Sequence, residues 1–409
     1  MKRINFKGII DTTFRDGQES PILFDTYKYR FSLSDKKKLL AGLIKLGIRY
    51  FEFFCPVVSQ AEKKDFLELK KFALTLTNDK IFFFAHCRSH DLDINQSLDV
   101  GFDGLNLYIG LSKLAQKYSH KHNFQEILNL TKNLITPLRK NNPDLYIRFS
   151  GEDAFRTPLK DTFQVYDQIY QYVDTFGIPD TVGIATPREV SKRIKVFKKR
   201  YPKVNLECHF HNDRGLSLIN AITAIEEGAE FVDCSIWGLA ERSGITSTTA
   251  LLFNMYKIDK KLCKNYSIEL CYPINVLMGT ILDTQVPPTE PVSLTNRTHT
   301  AGVHQKAVLK KKDVYESHNL EMFGVNKNQM FLGPLSGWNL IYYYLKEIKG
   351  FIITKDQAKK IAKEFKECVD QINKSLSPKK LLLKITDKYK LTKTKIPDRY
   401  VKKRLEDLS

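Results

Sequence analysis

Short apolar runs rich in β-branched and aromatic residues alternate with longer amphipathic segments from the N-terminus to about Lys260. Strands that alternate with helices pair in parallel as βαβ units. Eight such units over about 250 residues match a (β/α)8 barrel in number and length. The predicted strands are Gly8–Phe14, Tyr50–Pro56, Ile81–Cys87, Gly104–Ile109, Leu145–Ser150, Asp174–Ile178, Asn205–His211 and Phe231–Trp237. The sequence therefore predicts an α/β fold, and within that class a TIM barrel. A doubly wound sheet is less compatible with the sequence, because the Gly-rich loop that usually follows its first strand is missing.

The pattern changes beyond the barrel. Pro287, Pro288 and Pro291 mark a break, and the chain after them is mostly helical and rich in lysine. We predict a catalytic barrel at 1–275, a linker and lid subdomain at 276–345, and a charged helical segment at 346–409. The C-terminal part is thus expected to be a mostly helical lid or appendage of the barrel.

Composition limits the partners and the compartment. The formal charge is +19, but the lysines are dispersed and no RNA- or DNA-binding motif is present, so we expect no nucleic-acid partner. No apolar run approaches the roughly 18 residues of a membrane span, and we expect no membrane partner. Seven cysteines form no C-x-x-C pair, which is typical of reduced thiols and predicts a cytoplasmic protein.

One candidate metal site combines residues from two predicted strand ends. His209 and His211 alternate at the end of the seventh strand and therefore share one side. Asp16 follows the first strand, which lies two strands away around a closed barrel. Two histidines and a carboxylate leave open positions for a substrate on a divalent ion. The structural alternatives are hydrogen-bonded histidines and an ion pair between Arg15 and Asp16.

A second candidate lies at the end of the fifth strand. Arg148 and Ser150 share one side of that strand by the same alternation. A planar guanidinium beside a hydroxyl group can hold a carboxylate.

Several ordered motifs resemble the DRE-TIM metallolyase superfamily, and the homocitrate synthase branch most of all. The resemblance covers about residues 5–345. The motifs include Asp11-Thr-Thr-Phe-Arg-Asp-Gly17, Arg148-Phe-Ser-Gly-Glu-Asp-Ala-Phe-Arg156, Asp180-Thr-Val-Gly-Ile-Ala-Thr-Pro187, His209-Phe-His-Asn-Asp213, Gly238-Leu-Ala-Glu-Arg-Ser-Gly244 and Thr300-Ala-Gly-Val-His304.

The resemblance implies a metal-dependent acyltransferase that condenses acetyl-CoA with 2-oxoglutarate to give homocitrate and hydrolyses the thioester, as in lysine biosynthesis. It places a divalent metal on Asp16, His209 and His211; Mg, Mn, Fe, Zn and Co all suit this ligand set. It further implies a homodimer whose lid is exchanged between subunits. The implied catalytic residues are Arg15, Glu152, His304 and Tyr315, and the implied substrate-binding residues are His90, Arg148, Ser150, Thr181 and Glu19.

Two positions depart from the homocitrate synthase pattern. Glu19 replaces a glutamine near the substrate, and its charge would repel a carboxylate. Trp237 stands where the isopropylmalate branch has an asparagine near the metal. These changes motivate a second hypothesis, a synthase for oxaloacetate, pyruvate or 2-oxoisovalerate. A third is an aldol-type acyl-CoA lyase, and a fourth, suggested by the charge, is a non-catalytic binding protein.

Overall fold

Eight parallel strands close into a barrel in sequential order in this computed structural model, so that β1 pairs with both β2 and β8. The structure describes residues 4–316, 318–371 and 376–394. The strands are β1 (Gly8–Asp11), β2 (Tyr50–Phe54), β3 (Phe82–Arg88), β4 (Gly104–Gly110), β5 (Tyr146–Glu152), β6 (Thr175–Asp180), β7 (Asn205–Phe210) and β8 (Phe231–Cys234). The predicted (β/α)8 TIM barrel is confirmed, and each observed strand overlaps its predicted run.

Helices separate the strands, as the amphipathic segments indicated. In the barrel unit they are α1 (Pro21–Asp25), α2 (Leu33–Leu46), α3 (Gln60–Leu74), α4 (Asp91–Val100), α5 (Phe124–Asn141), α6 (Leu159–Tyr166), α7 (Pro187–Arg200), α8 (Ser217–Glu227), α9 (Thr248–Ile258) and α10 (Cys271–Leu282). Local signals fix their ends. Ser32 and Asp35 form a capping box at the start of α2, and Gly47 ends it at a φ of 112°.

The interior of the barrel is layered because alternate residues of each strand point inward. At the N-terminal end of the strands, Ile10, Phe84 and Phe231 form an apolar cluster with Tyr50, Phe82 and Tyr146 packed against it. The next inward positions are charged instead, and they are Glu52, Arg148, Glu207 and Asp233. The apolar layer closes the barrel from below and leaves the charged layer under the carboxyl ends of the strands.

The chain divides into two compact units, Met1–Pro291 and Val292–Ser409. The second unit holds β9 (Thr298–His299), β10 (Gln329–Met330), α11 (Gly302–Val308), α12 (Trp338–Tyr343), α13 (Lys355–Val369) and α14 (Pro378–Asp387). Its core is formed by α12, α13 and α14 around Ile341, Phe365 and Leu382. The predicted C-terminal region is therefore mostly helical, although residues 317, 372–375 and 395–409 lie outside the described residues. No helix in the described ranges is both long and apolar enough to cross a membrane.

Candidate active site

A cavity of about 730 Å³ opens at the carboxyl ends of the barrel strands. This is the end at which TIM barrels place their active sites, because loops from all eight strands meet there. Eight of the predicted site residues line the cavity, and they are Arg15, Asp16, Glu19, Ser150, Glu152, Thr181, His209 and His211. The structure thus brings together residues from β1, β5, β6 and β7 that are far apart in sequence.

Arg15 is held in one orientation by two acidic residues. Its Nε and Nη2 atoms donate to Oε1 of Glu52 at 3.0 and 2.8 Å, and its Nη1 atom donates to Asp16. Burial opposes ionisation of Glu52, but Arg15 and Arg148 outweigh burial and hold the pKa of Glu52 well below its usual range. Glu52 is therefore an anion, and its charge fixes the guanidinium of Arg15 at the cavity wall.

His209 lies in β7 and His211 follows its end. Both face the same cavity, but their electrostatic surroundings differ. Their ring centroids lie 5.0 Å apart. Nδ1 of His209 lies 3.2 Å from Oδ2 of Asp233 and 4.0 Å from Oδ2 of Asp16. Burial lowers the pKa of His209, but the two carboxylates outweigh it and raise that pKa to about 9. Burial and the neighbouring His209 lower the pKa of His211 to about 3, so its imidazole is neutral.

The donor set of Asp16, His209 and His211 fits a divalent metal ion. Oδ2 of Asp16 and Nδ1 of His211 are buried and have no hydrogen-bond partner among the described residues. Such atoms are costly to bury unless something satisfies them. Within the described part of the chain, no group of three or more His, Cys, Asp or Glu side chains is already arranged around one point as an ion requires. The residues present therefore supply suitable ligands whose side chains would adjust to an ion.

Arg148 lies below the cavity and not in its lining. It is fully buried, and Nη1 donates to Glu52 at 2.9 Å while Nη2 lies 3.0 Å from Glu207 and 3.3 Å from Asp233. Its guanidinium also lies 5.3 Å from the centre of the Phe84 ring. The side chain thus links three acidic residues of the charged layer, and both of its terminal nitrogens already have partners within the protein.

Glu207 differs from the other acids around Arg148. Burial and the nearby Asp233 raise the pKa of Glu207 to about 8, because Arg148 compensates them only in part. Its Oε1 atom has no hydrogen-bond partner within the described residues. Glu207 lines the cavity floor and is mostly a neutral acid at neutral pH.

Ser150 belongs to a polar chain across neighbouring strands. Its hydroxyl donates to Oδ1 of Asn106 at 3.0 Å, and the Asn106 amide donates to Oε2 of Glu52 at 2.9 Å. Asn106 also lies 3.2 Å from Nδ1 of His86, whose ring stacks on Tyr108. These groups form the polar wall of the cavity on the β3–β5 side.

Other predicted substrate residues occupy distinct positions. Burial raises the pKa of Glu19 to about 7, with Arg15 opposing that rise, so Glu19 carries only part of a negative charge near neutral pH. Thr181 accepts a hydrogen bond from the backbone N–H of Asp153 at 2.9 Å. His90 is exposed, caps the start of α4 through Nδ1 and is not among the residues that line the cavity.

His304 and Tyr315 lie in the second unit. Their rings stack with centroids 3.9 Å apart and an interplanar angle of 23°. Tyr315 is 42% exposed. The two predicted proton-transfer residues are therefore paired with each other on a surface of that unit.

Comparisons with known proteins agree with this geometry. The HMGL-like family matches residues 7–271, and the family described as homocitrate synthase post-HMGL domain-like matches residues 292–373. The mitochondrial homocitrate synthase of Schizosaccharomyces pombe is 32% identical over 90% of this chain and 86% of its own length. The chain belongs to the HMGL-like, DRE-TIM family, in its homocitrate synthase branch.

Further relatives limit what membership of this family implies about the activity of the chain. The cytosolic homocitrate synthase of Saccharomyces cerevisiae is 32% identical over 90% of this chain and 84% of its own length, and the 2-isopropylmalate synthase of Methanocaldococcus jannaschii is 30% identical over 89% and 68%. As a member of this family the chain is an acyltransferase. An HMG-CoA lyase structure from Bacillus subtilis shares the fold with a TM-score of 0.57, at 19% identity over 70% of this chain and 97% of that one.

Several cavity residues of this family member were not predicted as site residues from its sequence. They are Glu52, His86, Arg88, Asn106, Tyr108, Glu207, Asp233, Glu241 and Arg242. The available signal was the presence of charged residues within apolar strands, since buried charges occur where they are paired or functional. Glu207 also stands two residues before His209, and therefore on the same side of β7.

Proposed function

We propose that this chain condenses acetyl-CoA with a 2-oxo acid, and that the acid is 2-oxoglutarate, which gives homocitrate after the thioester is hydrolysed. The observation that supports this proposal is the convergence of Arg15, Asp16, His209 and His211 on one cavity in a chain similar to homocitrate synthases along 90% of its length. Homocitrate would serve amino-acid biosynthesis, and lysine biosynthesis is the pathway that we propose.

Asp16, His209 and His211 would hold the divalent metal that members of this family use. When bound, the ion draws electron density from the ketone oxygen of the 2-oxo acid and stabilises the negative charge that develops there. Asp233 accepts from Nδ1 of His209 and thereby leaves the other ring nitrogen, Nε2, to act as the ligand. Glu52 keeps the Arg15 guanidinium oriented, and this fixed positive charge favours the same developing oxyanion.

The substrate carboxylates are proposed to contact polar groups of the cavity wall. Ser150, Thr181 and Glu19 line the cavity, and Glu19 in its neutral form donates a hydrogen bond as glutamine would. Arg148 and His90 were expected to bind the substrate carboxylates, but neither lines the cavity. We propose indirect roles instead: Arg148 holds the carboxylates of Glu52 and Asp233 in place, and His90 caps the start of α4.

Proton transfer is assigned to Glu152, His304 and Tyr315. Glu152 lines the cavity and is proposed to take a proton from the methyl group of acetyl-CoA. By resemblance, His304 and Tyr315 are proposed to come from the lid of the partner subunit in a homodimer. Mixing two inactive variants, Glu152→Gln and Tyr315→Phe, would then restore part of the turnover, because mixed dimers contain one intact site. Mixtures as inactive as the separate variants would contradict lid exchange.

A second candidate is the same reaction with a different 2-oxo acid. It is supported by Glu19 and by the similarity to 2-isopropylmalate synthases. The cytoplasmic location also stays a proposal, since the similar homocitrate synthases include cytosolic and mitochondrial proteins.

The test is the release of CoA from acetyl-CoA by the metal-loaded protein, with 2-oxoglutarate, oxaloacetate, pyruvate and 2-oxoisovalerate in parallel. We expect release with 2-oxoglutarate that is lost in His211→Ala and retained in Arg200→Met, a matched surface variant. Release with only another acid would reassign the product. No release with any acid, together with cleavage of a hydroxyacyl-CoA, would replace the synthase by a lyase.

A further inference from the structure

Cys55 and Cys87 lie side by side in the wall of the barrel. Cys55 directly follows β2, Cys87 lies in β3, and the preceding residues Phe54 and His86 are register partners. Neighbouring strands are about 4.8 Å apart, which lies within the Cα separation of about 4.4–6.8 Å that a disulfide requires. The pairing of the preceding residues therefore brings the two backbones to about the separation that a disulfide requires.

Both thiols point to the same two atoms of α4. The sulfur of Cys55 lies 3.5 Å from the carbonyl oxygen of Asp93 and 3.6 Å from the hydroxyl of Ser97. The sulfur of Cys87 lies 3.9 and 3.3 Å from the same two atoms. The side chains thus share one small polar contact region.

The two thiols differ in position and in acidity. Both residues are buried, at 2% and 0% exposure, but only Cys55 lines the cavity. Hydrogen bonds from Cys87, the backbone of Val57 and Ser97 lower the pKa of Cys55 to about 7 against the effect of burial. Burial raises the pKa of Cys87 well above its usual value. Burial also raises the pKa values of Cys208, Cys234, Cys263 and Cys271, so these thiols stay protonated.

We propose that Cys55 and Cys87 are an oxidation site in the cavity wall, where hydrogen peroxide forms a disulfide between them. The Cys55 thiolate attacks one peroxide oxygen, the O–O bond breaks, and hydroxide leaves, which gives a sulfenic acid. The Cys87 sulfur then attacks the Cys55 sulfur, the S–O bond breaks, and water leaves with the Cys87 proton. Two thiols are oxidised, and one peroxide is reduced to two molecules of water.

The bridge would alter the cavity because the same segment positions Arg88. The carboxylate of Asp93 accepts from Nε and Nη2 of Arg88 at 3.0 and 2.7 Å, and the Asp93 carbonyl contacts both sulfurs. Arg88 and Cys55 both line the cavity. Drawing the sulfurs together removes their contacts with α4, so turnover is expected to fall upon oxidation and to return after dithiothreitol. This activity readout rests on the proposed function, whereas the disulfide itself does not.

The experiment treats the full chain with hydrogen peroxide, blocks free thiols with iodoacetamide and maps the peptides by mass spectrometry. We expect one linked peptide pair that joins Cys55 to Cys87 and disappears with dithiothreitol. In Cys87→Ser the bridge is absent, and dimedone labels Cys55 as its sulfenic acid. The control Cys368→Ser, whose thiol lies in the second unit, should form the bridge as the unaltered chain does.

Free thiols at both positions after peroxide treatment would overturn the proposal, as would a bridge between other cysteines or a sulfinic acid at Cys55 without a bridge. The map of the unaltered chain decides this even if Cys87→Ser fails to fold. Complete formation of the disulfide with undiminished turnover would contradict the proposed effect of the disulfide on the cavity. A chain without synthase activity still reports the bridge by mass, so failure of the proposed function is distinguishable.

Discussion

Arg148→Met removes the cation that three acidic residues share at the centre of the barrel. In the structure Arg148 is fully buried and contacts Glu52, Glu207 and Asp233 at 2.9 to 3.3 Å. Methionine fills similar space, so the substitution removes charge and hydrogen bonds with little change in packing. Glu52 keeps its contacts with Arg15 and Asp233 keeps its contact with His209, but Glu207 loses the guanidinium beside it.

The expected cost follows from removing a cation that three buried acids share. Removing one member of a buried ion pair destabilises a protein by about 3–5 kcal/mol. Natural domains unfold with a free energy of about 5–15 kcal/mol, so this change takes away a large fraction of the stability. The exposed pair of Arg200 and Asp167 is the matched control, because Arg200→Met breaks a surface ion pair worth about 1 kcal/mol or less.

Urea unfolding measured by tryptophan fluorescence provides the assay. The chain has two tryptophans, Trp237 in the barrel unit and Trp338 in the second unit. Trp338→Phe therefore serves as the background in which Trp237 reports on the barrel alone. Arg148→Met is compared with Arg200→Met in this background, with the free energy of unfolding extrapolated to water.

The penalty of Arg148→Met should also depend on pH. Arg148 opposes the rise of the Glu207 pKa, which is about 8 in the folded chain, so without the guanidinium this pKa lies still further above its unfolded value. The stability of a group with a raised pKa is lost as pH rises towards the folded pKa, and the variant continues to lose stability above about pH 8, so the penalty is smaller at about pH 7 than at about pH 9. Unchanged stability with a greatly raised KM for the 2-oxo acid would refute this reasoning and support a direct carboxylate clamp.

Three further substitutions address other parts of the cavity. Asp233→Asn weakens the support of His209 and should lower metal affinity about 10- to 100-fold by calorimetry, and unchanged affinity would contradict that support. Glu19 becomes charged as pH rises through about 7, so KM for a dicarboxylate should rise from pH 6 to pH 8 in the unaltered chain and stay flat in Glu19→Gln; parallel profiles would exclude this effect. Gly177→Ala places a Cβ atom in steric conflict with Oγ of Ser150 and should destabilise the barrel by about 1–3 kcal/mol in thermal unfolding, whereas an unchanged midpoint would show that the Ser150 side chain moves aside without cost.

The barrel was predictable because local patterns determine it. Each strand is a short apolar run and each following segment has helical periodicity, and eight repeats leave few alternatives. The shared orientation of His209 and His211 followed from strand alternation, and the approach of Asp16 followed from barrel closure. These relations need only the position of a residue along its own strand and the order of the strands.

The partners within the charged layer were not predictable in the same way. Which acid meets Arg148 depends on the stagger between β5 and strands that are not its neighbours, and sequence spacing carries no information on that stagger. Arg148 itself shows the consequence. Strand alternation placed it on the correct inward side, but its depth below the cavity, where Glu52 and Asp233 bind it, became visible only in the closed barrel.

The same charged layer gives an independent argument for a cation at the mouth of the barrel. Two guanidinium groups, of Arg15 and Arg148, contact four acidic residues, which are Asp16, Glu52, Glu207 and Asp233. If all four were ionised, the network would have two negative charges in excess. Burying such an excess of negative charge is unfavourable. The neighbouring carboxylates accordingly raise the pKa values of Glu207 and His209, so that both side chains hold their protons more tightly. A divalent ion beside Asp16 would offset that excess, which supports the proposal that the acidic floor and the His209–His211 pair form one site.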